Sequence, residues 1–176
     1  MKRLFVIALF VVVAAAGCQQ REKQQAPASH PGGAVMMKPP WEISQMEQLA
    51  KASPKNVNGW IALGNALMDA QRFGEAVDAY QKALVLDPKN VDVRVDMGTC
   101  YRGIGRSDRA IEEYRKGIKI NPSHLNAHRN SGVVLAFDLN DKKGAIKAFE
   151  KYLELAPAAP DAAQIRDVIA QLQAGK

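Results

Sequence analysis

The sequence predicts an all-α solenoid of stacked helix pairs, and three observations carry that prediction. First, the stretch from Val57 to His124 states one pattern twice at a spacing of 34 residues. Trp60, Leu63, Gly64, Leu67, Ala76, Tyr80, Ala83 and Pro88 recur as Arg94, Met97, Gly98, Tyr101, Ala110, Tyr114, Gly117 and Pro122. Self-similarity at that period marks a stacked helical array rather than a domain with one central core. Second, the apolar positions within each copy are three and four residues apart, which places them on one stripe of a helix. Third, Pro88 and Pro122 cannot continue a helix, so each closes its copy.

The small residues have a mechanical reason. Gly64, Gly98 and Gly132 fall at one place in the repeat, where a missing side chain lets two helices approach closely. Ala76, Ala110 and Ala145 do the same on the second helix, and Ala83 and Gly117 keep the next contact thin. Trp60, Leu63, Leu67, Tyr80 and Leu84 fill the space so left. The pattern Trp-x2-Leu-Gly-x2-Leu, then Ala-x3-Tyr-x2-Ala-x4-Pro, resembles the tetratricopeptide (TPR) signature, which implies an α-solenoid of helix-turn-helix repeats that binds peptides or proteins.

In chain order, Met1 to Gly17 reads as a bacterial export signal: Lys2-Arg3 form the positive region, Leu4 to Val13 the apolar stretch, and Ala14 to Gly17 the small-residue cleavage zone. The apolar stretch is too short to span a bilayer comfortably. Ala15-Ala16-Gly17-Cys18 resembles a lipobox, which implies lipidation of Cys18 and anchorage in the membrane; ordinary secretion with cleavage near Cys18 is the other reading of the same residues. Ala15 stands where Leu is commoner. By resemblance to bacterial lipoproteins, Gln19 implies sorting to the outer membrane, with the folded part facing the periplasm. Three acyl chains on Cys18 would hold firmly, each buried methylene contributing about 0.8 kcal/mol.

From Gln19 to Pro40 the chain is rich in Gln, Pro and Gly, a composition that cannot bury enough surface to offset its ordering entropy. Residues 18–40 are therefore expected to form a tether reaching on the order of 25 Å. Trp41 to Ser53 follows as an amphipathic packing helix with Ile43, Met46, Leu49 and Ala50 on one face. Pro54 lies 34 residues before Pro88, so residues 41–56 stand where a second repeat helix would, without its first.

Repeat one, residues 57–90, is expected to hold helices Val57–Ala70 and Phe73–Leu86. Repeat two, 91–124, is expected to hold Val91–Ile104 and Asp108–Ile120, with Ser107 as N-cap and Gly105 in the turn. Repeat three, 125–159, keeps Gly132, Ala145, Phe149, Tyr152 and Pro157, but carries one inserted residue, placed in the turn Asp138-Leu139-Asn140-Asp141. His128 and Ser131 replace bulkier residues there. Residues 160–176 supply a capping helix, Asp161–Gln173, with Ile165, Val168, Ile169 and Leu172 toward the array and Asp161 at its positive end. The expected total is eight helices.

Charge and cysteine content narrow the function. The formal net charge is +6, and removing Lys2 and Arg3 with the signal leaves +4, too little and too evenly spread to suggest nucleic-acid binding. If Cys18 is acylated, Cys100 alone remains, and one thiol forms no internal disulfide. Between Thr99 and Tyr101 it reads as buried filler. His124 and His128 are four apart, but no further ligand sits at metal-site spacing, and both read as structural. No Cys-x2-Cys-His occurs, so covalent haem attachment to this chain is excluded. No catalytic constellation, cofactor, metal or small-molecule substrate is expected.

What the array offers is a concave surface. The TPR resemblance implies that the first helix of each repeat lines it, and by register the lining residues are Asn58, Ile61, Ala62, Asn65 and Met68, then Asp92, Val95, Asp96, Thr99 and Arg102, then Asn126, Arg129, Asn130, Val133 and Ala136. Asn side chains can donate to and accept from an extended peptide backbone. Ile61, Met68, Val95 and Val133 would take apolar side chains, and Arg102 and Arg129 a carboxylate. The carboxylate clamp with which some TPR domains grip chaperone tails is not matched: Asn65 fits, but Ile61, Asp96, Asn126 and Asn130 stand where Lys, Asn, Lys and Arg are required. The expected role is a non-enzymatic scaffold, since TPR lipoproteins include pilus-secretin pilotins and envelope scaffolds. A narrower resemblance also exists. Asn58-Gly59-Trp60-x2-Leu-Gly with Arg72-Phe73-Gly74-Glu75-Ala76 is similar to the TPR domain of cytochrome c haem-lyase assembly factors, which implies binding of apocytochrome tails.

Overall fold

A computed structural model of the chain describes residues 38–175; the signal, Cys18 and most of the tether expected from the sequence lie outside the described residues. The described residues form α-helices α1 (Pro40–Ala52), α2 (Val57–Asp69), α3 (Phe73–Leu86), α4 (Val91–Gly103), α5 (Ser107–Ile120), α6 (Leu125–Val133), α7 (Lys142–Leu155) and α8 (Ala162–Gln173), with a π-helical turn, Val134–Asp138, continuing α6. Each helix packs on the next, as an α-solenoid requires. In addition α2 meets α4 and α4 meets α6, so the first helices of the repeats form one continuous wall. None of the described helices is long and apolar enough to cross a membrane.

The glycines do what their spacing implies. A Cβ built on Gly64 would stand 2.5 Å from the Tyr80 ring, and Gly98 and Gly132 meet the rings of Tyr114 and Phe149 in the same way. Those three rings are fully buried, as are Ala76, Ala110 and Ala145. Two apolar clusters, one running from Ile43 to Cys100 and one from Val95 to Ile169, both touch Tyr101, so the core continues along the array.

Each first helix begins on a side-chain cap at the same register. Asn56 Oδ1 accepts from Gly59 N at 3.2 Å, Asn90 Oδ1 from Val93 N at 3.1 Å, and His124 Nδ1 from Ala127 N at 3.2 Å. Each is followed by a second tie. Trp60 Nε1, Arg94 Nη2 and His128 Nε2 donate to the carbonyls of Pro54, Pro88 and Pro122 at 3.0, 2.8 and 2.8 Å. Trp, Arg and His thus share one position because each reaches back six residues with an N–H to the proline that closed the preceding element.

Three expectations are corrected. Leu49 is 64% exposed, although Ile43 and Ala50 beside it are buried. The 34-residue register aligns Leu49 with Ala83, on the face that a first helix would cover, and no helix precedes α1 among the described residues. Ser107 does not cap α5: it is the first helical residue, and its Oγ donates instead to Asp138 Oδ2 at 2.9 Å. The inserted residue of repeat three is not confined to the turn.

That insertion is absorbed inside the helix. In repeats one and two the C-terminal bonds run Ala70 N to Ala66 O and Arg72 N to Leu67 O, then Ile104 N to Cys100 O and Arg106 N to Tyr101 O. In repeat three the matching bonds are Leu139 N to Val134 O at 3.0 Å and Asp141 N to Leu135 O at 2.7 Å, each spanning one residue more. The turn itself is kept, with Gln71, Gly105 and Asn140 at φ of 58°, 76° and 53°. A single π turn inside an α-helix, the form in which this rare geometry mostly occurs, carries an extra residue without breaking the helix.

Candidate functional site

The wall of α2, α4 and α6 carries the residues expected to line the groove, and the structure sorts them by what they already hold. Asn58 and Asn126 are exposed and make no side-chain hydrogen bond among the described residues. Ile61 and Met68 are half-buried against the first core cluster, and Val133 and Ala136 against the second. Ala62 is exposed. Val95 is the exception: at 3% exposure it belongs to the core and offers no surface to a ligand.

Asn65 and Thr99 sit over the buried tyrosines. Tyr80 OH donates to Asn65 Oδ1 at 2.8 Å, with Met68 Sδ at 3.9 Å, and Thr99 Oγ1 lies 3.2 Å from Tyr114 OH. In repeat three the same two places hold Val133 and Phe149, so both the acceptor and the hydroxyl are gone together. Burial raises both phenol pKa values above the ordinary tyrosine range, with the Asp96 carboxylate adding to each. Asn130 Nδ2 reaches across repeats to Thr99 Oγ1 at 3.5 Å, and Thr99 in turn donates to Val95 O at 3.1 Å. Asn65 therefore keeps its amide N–H groups for a ligand, while Thr99 and Asn130 are engaged with each other.

The arginines are held by carboxylates that the sequence did not pair with them. Arg102 grips Asp138 with Nε at 2.7 Å and Nη2 at 3.0 Å, and Ser107 completes the site. Hydrogen bonding from Arg102, then Ser107, holds the Asp138 carboxyl below the usual carboxylate range. Asp138 ends the π turn, so the inserted residue lies in the segment that presents this carboxylate to Arg102. Arg129 Nε donates to Asp161 Oδ2 at 2.5 Å and Tyr152 OH to Asp161 Oδ1 at 2.6 Å. Burial pushes the Asp161 carboxyl up, but these two bonds together bring it below its ordinary value. Asp161 is thus the N-cap residue of α8 without a side-chain cap, its carboxylate tying the capping helix to α6 and α7. The only sequence signal for either pair is opposite charge at a separation of 36 or 32 residues, which is no signal by itself.

The histidines are committed to the backbone. His124 accepts through Nδ1 at the cap of α6, so Nε2 carries the proton and donates to Asp92 Oδ1 at 2.8 Å. His128 is buried with Nε2 on Pro122 O. Among the described residues no group of three His, Cys, Asp or Glu side chains could hold a metal ion. Cys100 is fully buried, and burial, helped by Asp96, pushes its thiol up to about 12.

These features are those of a TPR wall, and comparison with known proteins agrees. The family model for the cytochrome c-type biogenesis protein H TPR domain matches residues 46–163. The chain belongs to that TPR family. No curated protein matches it. Among solved structures, the crystal structure of MamA superposes with a TM-score of 0.70 at 24% identity over 76% of this chain and 75% of that one. The Yersinia enterocolitica type III secretion chaperone SycD, solved with a peptide of the translocator YopD, gives 0.63 at 16% identity over 67% of this chain and 92% of that one. The first TPR of Spaghetti (RPAP3), bound to the HSP90 peptide SRMEEVD, gives 0.61 at 24% identity over 66% and 93%. At these identities the likeness is one of fold. The match places the chain among TPR-repeat proteins, a class of protein-interaction scaffold.

Proposed function

We propose that the protein is a non-enzymatic docking scaffold, held at a bacterial membrane through Cys18, that seats an extended segment of a partner polypeptide against α2, α4 and α6 during assembly of a cell-envelope complex. The observation that carries this is the division of labour along the wall. Among the described residues Asn58 and Asn126 have no side-chain partner and Asn65 uses only its oxygen, next to the half-buried Ile61 and Met68. Backbone-directed amides beside shallow apolar positions suit an extended peptide more than a compact small molecule. Arg102 and Arg129 are oriented by Asp138 and Asp161, and each guanidinium retains N–H groups for a ligand carboxylate.

Crosslinking in the native envelope, followed by identification of the captured chains, tests this reading. Asn58→Ala with Asn126→Ala is the cleaner pair of variants, because reversing Arg102 and Arg129 would also break their ties to Asp138 and Asp161. Capture undiminished in the Asn pair would move binding off this wall. A second reading, favoured by the family match over residues 46–163, is that the partner is an apocytochrome tail. A dominant apocytochrome among captured chains supports it, and a secretin or cell-wall enzyme supports the broader scaffold. Mass analysis of the mature N-terminus tests the anchor: a diacylglyceryl-modified Cys18 is expected, and an unmodified N-terminus elsewhere removes the anchor but leaves the wall.

A further inference from the structure

The opposite side of the array carries one crevice per repeat, where a first helix is overlaid by two consecutive second helices, and the third differs in kind. In the first, between α1 and α3, Trp60 fills the space with Lys82 Nζ 4.4 Å above its ring, leaving a cleft of about 170 Å³. In the second, between α3 and α5, Arg94 and Glu113 meet at 2.9 Å, and Gln81 bonds the Tyr101 hydroxyl across it at 3.1 Å. In the third, between α5 and α7, the residues at the registers of Arg94, Glu113, Gln81 and Tyr101 are His128, Ala148, Arg115 and Leu135. A groove of about 740 Å³ stands open over Ile111, Ile118 and Leu135.

We propose that this third groove is a docking site for a partner segment that inserts an aromatic side chain flanked by carboxylates. The aromatic anchor follows from the first crevice. Lys151 stands at the register of Lys82 and His128 at that of Trp60, so repeat three keeps the cation while a smaller ring takes the place of the indole. The acidic flank follows from the rim. Arg115 and Lys147 line it without an ion-pair partner among the described residues, Lys151 is shared with Glu154 at 2.8 Å, and with Glu150 also on the rim the three cations outnumber two carboxylates. The floor is apolar and its one ring, His128, is fixed on Pro122 O, so the groove accepts bulk without losing an internal bond. This surface is separate from the α2–α4–α6 wall, and the two proposals stand or fall independently.

The test uses the full chain with isotope-labelled methyl groups and the peptide acetyl-Asp-Trp-Leu-Glu-amide, with a control peptide carrying alanine for tryptophan. Saturable shifts at Ile111, Ile118 and Leu135 are expected with the first peptide and not with the second. His128→Trp copies the Trp60 solution, including an N–H for Pro122 O, and should weaken binding about tenfold or more. Lys151→Glu leaves the floor untouched and should weaken the acidic peptide by a smaller factor that shrinks as salt is raised. It also keeps the test decisive if His128→Trp fails to fold. Shifts confined to Ile61 and Met68, affinity unchanged in both variants, or no binding of the tryptophan peptide would each overturn the proposal. So would concentration-dependent shifts of the same methyls without peptide, which would assign the groove to a second copy of the chain.

Discussion

The matched pairs Tyr80–Asn65 and Phe149–Val133 allow one experiment to be worked from the structure in detail. Tyr80 is fully buried and its hydroxyl donates to Asn65 Oδ1 at 2.8 Å, with only the Met68 sulfur, at 3.9 Å, as an alternative. A thioether is a weak acceptor. Asn65→Val therefore strands a buried donor and should destabilise by about 1–3 kcal/mol. Valine and asparagine have similar helix propensity, so the backbone contribution nearly cancels. Tyr80→Phe strands less, since half-buried Asn65 can turn to water, and should cost about 0.5–1.5 kcal/mol. The double variant reproduces the pair native to repeat three and should fall within about 1 kcal/mol of wild type, a favourable coupling of roughly 1–2 kcal/mol. Urea unfolding of all four proteins, with m-values checked for equality, reads the cycle. A double variant no more stable than Asn65→Val alone would refute the argument that acceptor and hydroxyl are exchanged as a unit.

Other outcomes are expected. Gly132→Ala drives a Cβ into the Phe149 ring. The overpacking should outweigh the gain in helix propensity for a net loss of about 1–2 kcal/mol by thermal unfolding, partly restored by Phe149→Leu. Asp138→Asn removes the charge and one of the two acceptor oxygens that serve Arg102 and Ser107, and with Arg102 41% exposed the loss should stay near or below about 1 kcal/mol. Because the folded Asp138 and Asp161 carboxyls are held below their ordinary values, their contribution is present above the unfolded carboxylate pKa, about 4, and is lost as pH falls through the folded one. Asp138→Asn should accordingly flatten the fall in stability below about pH 4. With its thiol pushed up to about 12 and buried, Cys100 should resist alkylation at neutral pH until the chain unfolds, as followed by mass mapping of its peptide.

The helices were legible because their pattern is local and repeated. A glycine facing an aromatic at fixed spacing, and a proline every 34 residues, fix pairing and stacking without long-range information. What escaped the sequence is the set of contacts between repeats. Nothing in Arg102 marks Asp138 as its partner, and nothing in Arg129 marks Asp161, because these pairs depend on how the π turn and the start of α8 are placed. Register alone puts Val95 on the groove-lining face, yet it lies in the core with Ala110 and Tyr114. Register gives the face of an ideal helix, whereas burial depends on how closely the next pair of helices packs upon it.

The third repeat shows how far a repeat can drift while its connections persist. Trp60, Arg94 and His128 look unrelated as residues, but each supplies an N–H to the carbonyl of the proline behind it. Asn56, Asn90 and His124 likewise each supply an acceptor to the third residue of the helix they begin. What these positions retain is a bond and a distance, and side-chain volume is left free to vary. Volume is where the repeats diverge on the side away from the groove wall: Trp60 closes the first crevice, Arg94 with Glu113 bridges the second, and His128 leaves the third open. Had repeat three lost its ties along with its bulk, the opening would read as decay. With the His128 and His124 bonds intact and Gly132 still seated on Phe149, the opening is a local change of surface on an undisturbed frame, and that is the condition under which a groove can serve a partner.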